Sequence, residues 1–421
     1  MAMTHAREVF CRLLYTVIMV VASVSPTIAI AQSMTLTQAI TNILEHNPQL
    51  HQFEIKKNHI LGQRKMSSLS PGLNLDFEVE NIGGSGRYSD VGSAETTLSL
   101  SSVIELGDKR NARTAVRDSE LDLVEYQKRA YTLDALGQLN AVFIKTLEIQ
   151  QLITLAGEAR DLAKKTLMIV KRRSGKGAAP DSDIKRSNAL LAKSQLILDA
   201  LTQQHERSLV RLASFWGGET PPATEVEGEL YDFGSTPEYS DLYQRALASP
   251  AIAVLASEDR LKAAEIQLAQ TQGKPDLDWS VGIRRFEDSG ESALVAGVSI
   301  PLFSGKRSNG DLKSALADRD EVALRRKDAL NQLNTRLFDA YSLRIQQVNE
   351  VKVYRNTVIP ELTSALKATQ RAYETGRYSY QDWIAAQKEL IEAKQSLIES
   401  AAAALLNQTV IEQLVAKPFA Q

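Results

Sequence analysis

Cysteine is all but missing from this chain of 421 residues: Cys11 is the only one. A chain with one thiol forms no internal disulfide and builds no thiolate metal site. Histidine is scarce as well. Beyond residue 31 there are His46, His51, His59 and His205, and none belongs to an HExxH pattern or stands beside a cysteine. No metal site is therefore expected. Charge of one sign is lacking too, with 49 basic and 51 acidic residues. Phosphate backbones are bound by a basic excess, so nucleic acid is excluded as a partner. No G-x-S-x-G motif is present, and the glycine-rich stretch Gly83-Gly84-Ser85-Gly86 lacks the Gly-Lys-Ser/Thr ending of a phosphate loop. The chain reads as no enzyme and as needing no cofactor.

Long apolar runs are confined to the N-terminus. Arg7 and Arg12 are followed by the apolar run Leu13 to Val24, and Ala29-Ile30-Ala31 precedes Gln32. Basic start, greasy core and small residues at a cleavage point are the order of a signal peptide, so residues 1–31 are expected to be removed. Loss of Arg7, Arg12 and Glu8 leaves 47 basic and 50 acidic residues, a net charge of −3. Beyond residue 31 nothing is long and apolar enough for a spanning helix, which leaves β-strands as the one way into a membrane.

What remains is a chain that reads as written twice. Asn47-Pro48 is answered by Ser249-Pro250 and Pro71 by Pro275. The tract Glu105–Arg110 is answered by Leu302–Arg307, and Gly177 with Asp183 by Gly376 with Asp382. The expected organisation of residues 32–421 is a first repeat over about 32–216, a linker over 217–238 and a second repeat over about 239–415. Each repeat reads as helix, two strands, very long helix, turn and long helix. Pro221, Pro222, Gly228, Gly234 and Pro237 make the linker irregular chain.

No proline lies between Pro71 and Pro180, and residues 108–173 are rich in good helix formers. Leu136, Leu139, Phe143 and Leu147 are spaced as one helical stripe, and Leu330, Leu333, Leu337 and Tyr341 repeat it. At about 1.5 Å per residue such a helix reaches about 100 Å, a length that suits coiled-coil packing and no compact domain. Pro360 is expected to kink or break the second rod.

The strand candidates alternate strictly. Leu73, Leu75, Phe77 and Val79 interleave with Asn74, Asp76, Glu78 and Glu80. Leu277, Trp279, Val281 and Ile283 interleave with Asp278, Ser280, Gly282 and Arg284. Leu98 with Leu100 and the series Leu294, Ala296, Val298, Ile300 and Leu302 complete the set. Each strand has one apolar and one polar face. Four strands cannot close a membrane barrel, and open edges cannot stand in lipid, so spanning requires several chains to share one barrel.

Over nearly its whole mature length the chain resembles the TolC-type outer-membrane efflux family. The residues that carry the resemblance are Leu36–Pro48 (LTQAITNILEHNP), Tyr373–Asp382 (YETGRYSYQD) followed by Ala385-Ala386-Gln387, and Gly177–Asp183. The junction Leu98–Arg110 (LSLSSVIELGDKR) is most similar to the CzcC-type heavy-metal branch. The resemblance implies a mainly α protein with a small β part: a homotrimer with a long α-helical barrel and a shared 12-stranded β-barrel, four strands from each chain. It implies an outer-membrane channel of a Gram-negative cell, extending into the periplasm, in a tripartite efflux system for heavy-metal cations. The implied partners are a periplasmic adaptor (membrane fusion) protein, an inner-membrane pump of the RND type and outer-membrane lipid. The alternatives are a drug or type I secretion channel or, in a different class, a periplasmic coiled-coil adaptor.

Site expectations follow from the same resemblance. The periplasmic mouth is placed at the helix–turn–helix tips marked by Gly177 and Gly376, with Asp183, Asp382 and Arg377 at the gate. Where other members carry a second gate aspartate this chain has Ala385. A carboxylate ring favours cations at a constriction, and an aspartate at a helix start also serves as a cap. Apart from the resemblance, Lys109, Arg110, Lys306 and Arg307 sit at strand-to-helix junctions, where cations oppose the helix dipole; they read either as solvated surface charge or as membrane-interface residues that meet lipid phosphates.

Overall fold

The computed structural model describes residues 33–218, 223–302 and 304–417, with the side chains of residues 304–307 excluded. The expected signal peptide thus lies outside the described residues. The first two helices among the described residues are α1 (Leu36–His46) and α2 (Pro48–Ser67). Thr35 and Gln38 form a capping box on α1, and the Asn47 side chain accepts from the Gln49 and Leu50 N–H groups to start α2 with Pro48 in its first turn. Asn47 thereby satisfies donors that a helix start leaves without partners.

Strands β2 (Asn74–Glu80) and β3 (Glu95–Ile104) form a hairpin that leads into the 66-residue helix α3 (Lys109–Ser174), followed by α4 (Asp181–Ala213). The same order then recurs: α5 (Tyr239–Leu247), α6 (Pro250–Gln272), β5 (Leu277–Phe286), β6 (Ser292–Ser299), α7 (Ser304–Val353), α8 (Ile359–Glu374) and α9 (Tyr380–Leu414). Matching ion pairs sit at matching places, Glu54 with Lys128 at 2.5 Å and Glu258 with Arg325 at 2.6 Å. Pro360 does not break the rod. A π-helical turn over Tyr354–Val358 joins α7 to α8, and Pro360 falls in the first turn of α8. A ring that would clash with the carbonyl one turn back is accommodated where the helix is locally widened.

The four strands form one antiparallel sheet in the order β2-β3-β5-β6. Its register aligns the apolar residues in rows: Leu75, Leu100, Val281 and Ala296 in one, Phe77, Leu98, Ile283 and Leu294 in the next. The strands are 7 to 10 residues long, so some are shorter than the ten expected; Ile300 and Leu302 follow the end of β6.

The core lies in the helical part. Ile43, Leu139, Phe143, Leu212 and Ala401 join α1, α3, α4 and α9 in one cluster, and Leu242, Leu333, Leu337 and Ile411 form a second. Full burial of each large side chain contributes about 1.5–3 kcal/mol. The linker is more ordered than its composition implies. It holds β4 (Glu225–Glu227), which pairs in parallel with β1 (Ser33–Thr35). The Gln150 side chain donates to the Val226 carbonyl and accepts from its N–H, both at 3.2 Å. The buried Arg344 guanidinium donates to the Phe233 carbonyl and the Thr236 hydroxyl. Long-range partners, absent from local propensity, hold this segment.

Candidate functional site

Two regions can carry function, the paired helix tips and the sheet. At the tips, α3 and α8 end in the same way. Gly177 (φ 71°) and Gly376 (φ 79°) adopt the left-handed conformation. Ala178 and Arg377 donate backbone N–H groups to Arg173 and Ala372, while Gly177 and Gly376 donate to Ser174 and Tyr373. This double closure is the Schellman arrangement, and its positive φ favours glycine.

The tips meet through a cluster that spacing alone did not reveal: Val170, Tyr373, Tyr380 and Trp383. Trp383 is 1% exposed and stacks on Tyr373 with ring centroids 5.0 Å apart. Arg173 lies over the Tyr373 ring at 4.4 Å, a contact between the two tips of the kind that gains strength as water is excluded. Ser187 donates to the Tyr380 hydroxyl at 3.1 Å, and Gln387 donates to the Thr166 hydroxyl at 2.9 Å. Burial pushes the Tyr373 phenol above its ordinary range; Arg173 opposes that shift and Asp183 adds to it. The signal in the sequence was the pair Tyr380 and Trp383, three apart at a helix start.

The two expected gate aspartates have different surroundings. Asp183, in the first turn of α4, is 8% exposed and acts on the buried Tyr373 and Tyr380. Asp382 is exposed and closes a capping box, accepting from the Ser379 N–H at 3.0 Å and its hydroxyl at 2.7 Å. That hydroxyl and then that N–H hold its carboxyl below the usual range. Arg377 and Ala385 are exposed.

The basic junction residues also divide. Lys109 is 8% exposed and pairs with Asp276 at 2.8 Å, so it does not stand free to meet lipid. The polypeptide turns back there and sets the carboxylate beyond α6 against the start of α3, where Asp276 also accepts from the Leu106 N–H at 3.2 Å. Arg110 is exposed and donates to the Ser70 hydroxyl at 3.0 Å. The side chains of Lys306 and Arg307 lie outside the described residues.

The sheet presents its apolar rows outward, exposed among the described residues: Phe77 is 70% and Leu294 82% exposed. Its other face carries Asp76, Glu78, Ser99, Thr97 and Arg284. Arg284 is paired with Glu80 at 2.8 Å and Glu95 at 2.9 Å. Within the described residues β2 and β6 each have one free edge. No helix among the described residues is long and apolar enough to cross a membrane, and no group of three or more His, Cys, Asp or Glu side chains there could hold a metal ion. His205 is partly buried, and burial lowers its affinity for a proton.

A four-stranded sheet with an exposed apolar face and, among the described residues, two free edges is carried on long helices, the longest about 100 Å; this is the fold of solved outer-membrane channels. No family model matches the chain. It is similar to the cobalt-zinc-cadmium resistance protein CzcC of Cupriavidus metallidurans, with 26% identity over 395 residues, 89% of this chain and 92% of that protein. The nickel-cobalt-cadmium resistance protein NccC of Alcaligenes xylosoxydans is 24% identical over 276 residues, 62% of each chain. Among solved structures, the outer membrane protein VceC of Vibrio cholerae superposes with a TM-score of 0.74 at 20% identity, over 91% of this chain and 97% of that one. The chain resembles the TolC-type channels and, in sequence, heavy-metal resistance proteins of that type.

Proposed function

We propose that this chain is one protomer of an outer-membrane efflux channel that passes heavy-metal cations, received from an inner-membrane pump and a periplasmic adaptor, to the exterior. The observation that carries this reading is the sheet. Its apolar face is solvent-exposed across four strands, and its two edges are unpaired. Such a surface is stable in hydrocarbon only when the edges are closed by further strands. Three copies supply twelve strands, within the range of known barrels, and the helical rods then form the periplasmic tunnel. The two halves of the protomer are read as a duplicated unit. The metal cargo is supported by the resistance functions in the names of CzcC and NccC. Transport energy comes from the pump, and this chain needs no nucleotide.

In this reading the tips form the periplasmic mouth. Asp382 and Arg377 present charge there, and Asp183 with the Arg173–Tyr373 contact holds the two tips together. Arg110, Lys306 and Arg307 are placed at the membrane interface.

The test is native mass after detergent extraction from separated membranes, joined to the metal tolerance of a deletion strain. A trimer in the outer membrane together with cobalt, zinc or cadmium sensitivity is the expected result. A soluble periplasmic monomer overturns the channel and favours an adaptor. A trimer with unchanged metal tolerance overturns the cargo and favours a drug or secretion channel.

A further inference from the structure

The two rods differ on the way to their tips. In the first half α3 runs unbroken and buries Leu155, Ala163, Leu167 and Val170. In the second half the matching stretch opens on the π-helical turn Tyr354–Val358, which buries no side chain. Beyond it α8 buries only Tyr373, one residue from its far end. The spacing between equivalent residues changes over the same stretch. Lys128 and Arg325, whose ion pairs match, are 197 residues apart, whereas the tip glycines Gly177 and Gly376 are 199 apart. The second rod therefore holds two residues more between its ion pair and its tip. A π-helical turn takes up added chain without ending a helix: the Ile359 N–H reaches back five residues, to the Tyr354 carbonyl. Pro360, in the first turn of α8, has no N–H to return to this turn.

The chain before the turn is anchored. Val351 is 3% exposed in the main core, and Arg344 is held by the Phe233 carbonyl and the Thr236 hydroxyl. The linker from Tyr231 to Thr236 thus follows α7 as a strap, and its first residue reaches the turn itself. Arg355, inside the turn, lies over the Tyr231 ring at 4.7 Å, and that ring packs on the main core. A cation over an aromatic face is an attraction that one substitution removes.

We infer that the π-helical turn is a hinge and that Tyr231 of the linker controls it through Arg355. While the contact holds, α8 stays in line with α7. Once it is released, α8 and the second tip swing as one arm, and α3 with the first tip stays in place. Helix bends concentrate at π-helical turns and prolines, and this arm has almost no buried surface to oppose the motion. The functional consequence rests on the reading of the tips as the channel mouth. The linker then sets how readily the mouth opens from about 30 Å away along the rod.

Two measurements on the purified native oligomer test this: amide exchange and conductance in planar bilayers. The variants are Tyr231→Ala, Tyr231→Phe and Arg355→Ala. Arg355 is exposed, so its truncation leaves the core intact. Tyr231→Ala and Arg355→Ala should each speed exchange several-fold over residues 354–372 and leave α3, and α7 up to residue 350, as in the parent. Both should raise the mean conductance several-fold. Tyr231→Phe keeps the ring and should match the parent, and the double variant Tyr231→Ala with Arg355→Ala should exceed neither single one.

Unchanged exchange in Arg355→Ala, or an equal rise along α7, sinks the hinge. A Tyr231→Phe variant as fast as Tyr231→Ala sinks the control by the ring. Faster exchange in α8 at unchanged conductance refutes the link to the mouth. A parent oligomer that conducts no ions counts against the channel reading instead, and the exchange data then judge the hinge by themselves.

Discussion

At the level of single residues, the tips depend on a few side chains with long-range partners. Trp383 is held between Tyr373 and Val170 in the tip cluster. Trp383→Ala should cost about 3–5 kcal/mol of local stability, because a large aromatic is replaced by a cavity. Faster amide exchange at the ends of α3 and α9, with the core of α3 unchanged, checks this. Asp382 has a sign that can be worked out. Its carboxyl is depressed in the folded tip by Ser379, so the cap is complete above the ordinary aspartate range of about 3.9 and is lost only as the pH falls through the lower folded value. Protection of the first turn of α9 should be flat from neutral pH to about pH 5 and should fall below about pH 4. In Asp382→Asn that acid dependence should vanish.

At the level of elements, alternation decides which face of a strand tolerates charge. Leu98 is in an outward row and Ser99 faces the other side. Leu98→Arg should destabilise the membrane sheet by about 2–4 kcal/mol, the cost of a cation on the lipid face near the midplane. Ser99→Arg should leave outer-membrane yield close to that of the parent. Equal losses from both would contradict the assignment of faces, read as folded protein in the outer-membrane fraction. The rods teach a different lesson. Helix α3 was legible because residues 109 to 174 are rich in good helix formers and hold no proline, and each tip ends at a glycine. The passage through Pro360 was not, because a π-helical turn has no composition of its own.

On the scale of the whole molecule, the linker is held to both halves through partly buried polar contacts. Arg344 is the anchor, donating to Phe233 and Thr236; burial disfavours its charge, and the buried Glu412 carboxylate opposes that effect. Arg344→Ala should cost about 1–3 kcal/mol, since the buried guanidinium that donates to the Phe233 carbonyl and the Thr236 hydroxyl is lost. A lower unfolding temperature in detergent, with proteolytic nicking between residues 223 and 238, is the expected readout. An Arg344→Lys variant should recover only part of the loss, since one ammonium cannot reproduce the forked donor geometry.

Sequence alone determined the order of the long helices and the four-stranded sheet, the apolar and polar faces of those strands, the length of the first rod and the glycines of the tips. Each of these is a periodicity or a local conformational demand, and such demands are written in consecutive residues. Tertiary structure alone decided that Lys109 turns inward to Asp276, that Asp183 is buried beside two tyrosines while Asp382 caps its own helix, and that the linker is pinned by Gln150 and Arg344. Those outcomes join residues tens to hundreds of positions apart, and their energies come from burial and pairing that exist only once the halves have packed.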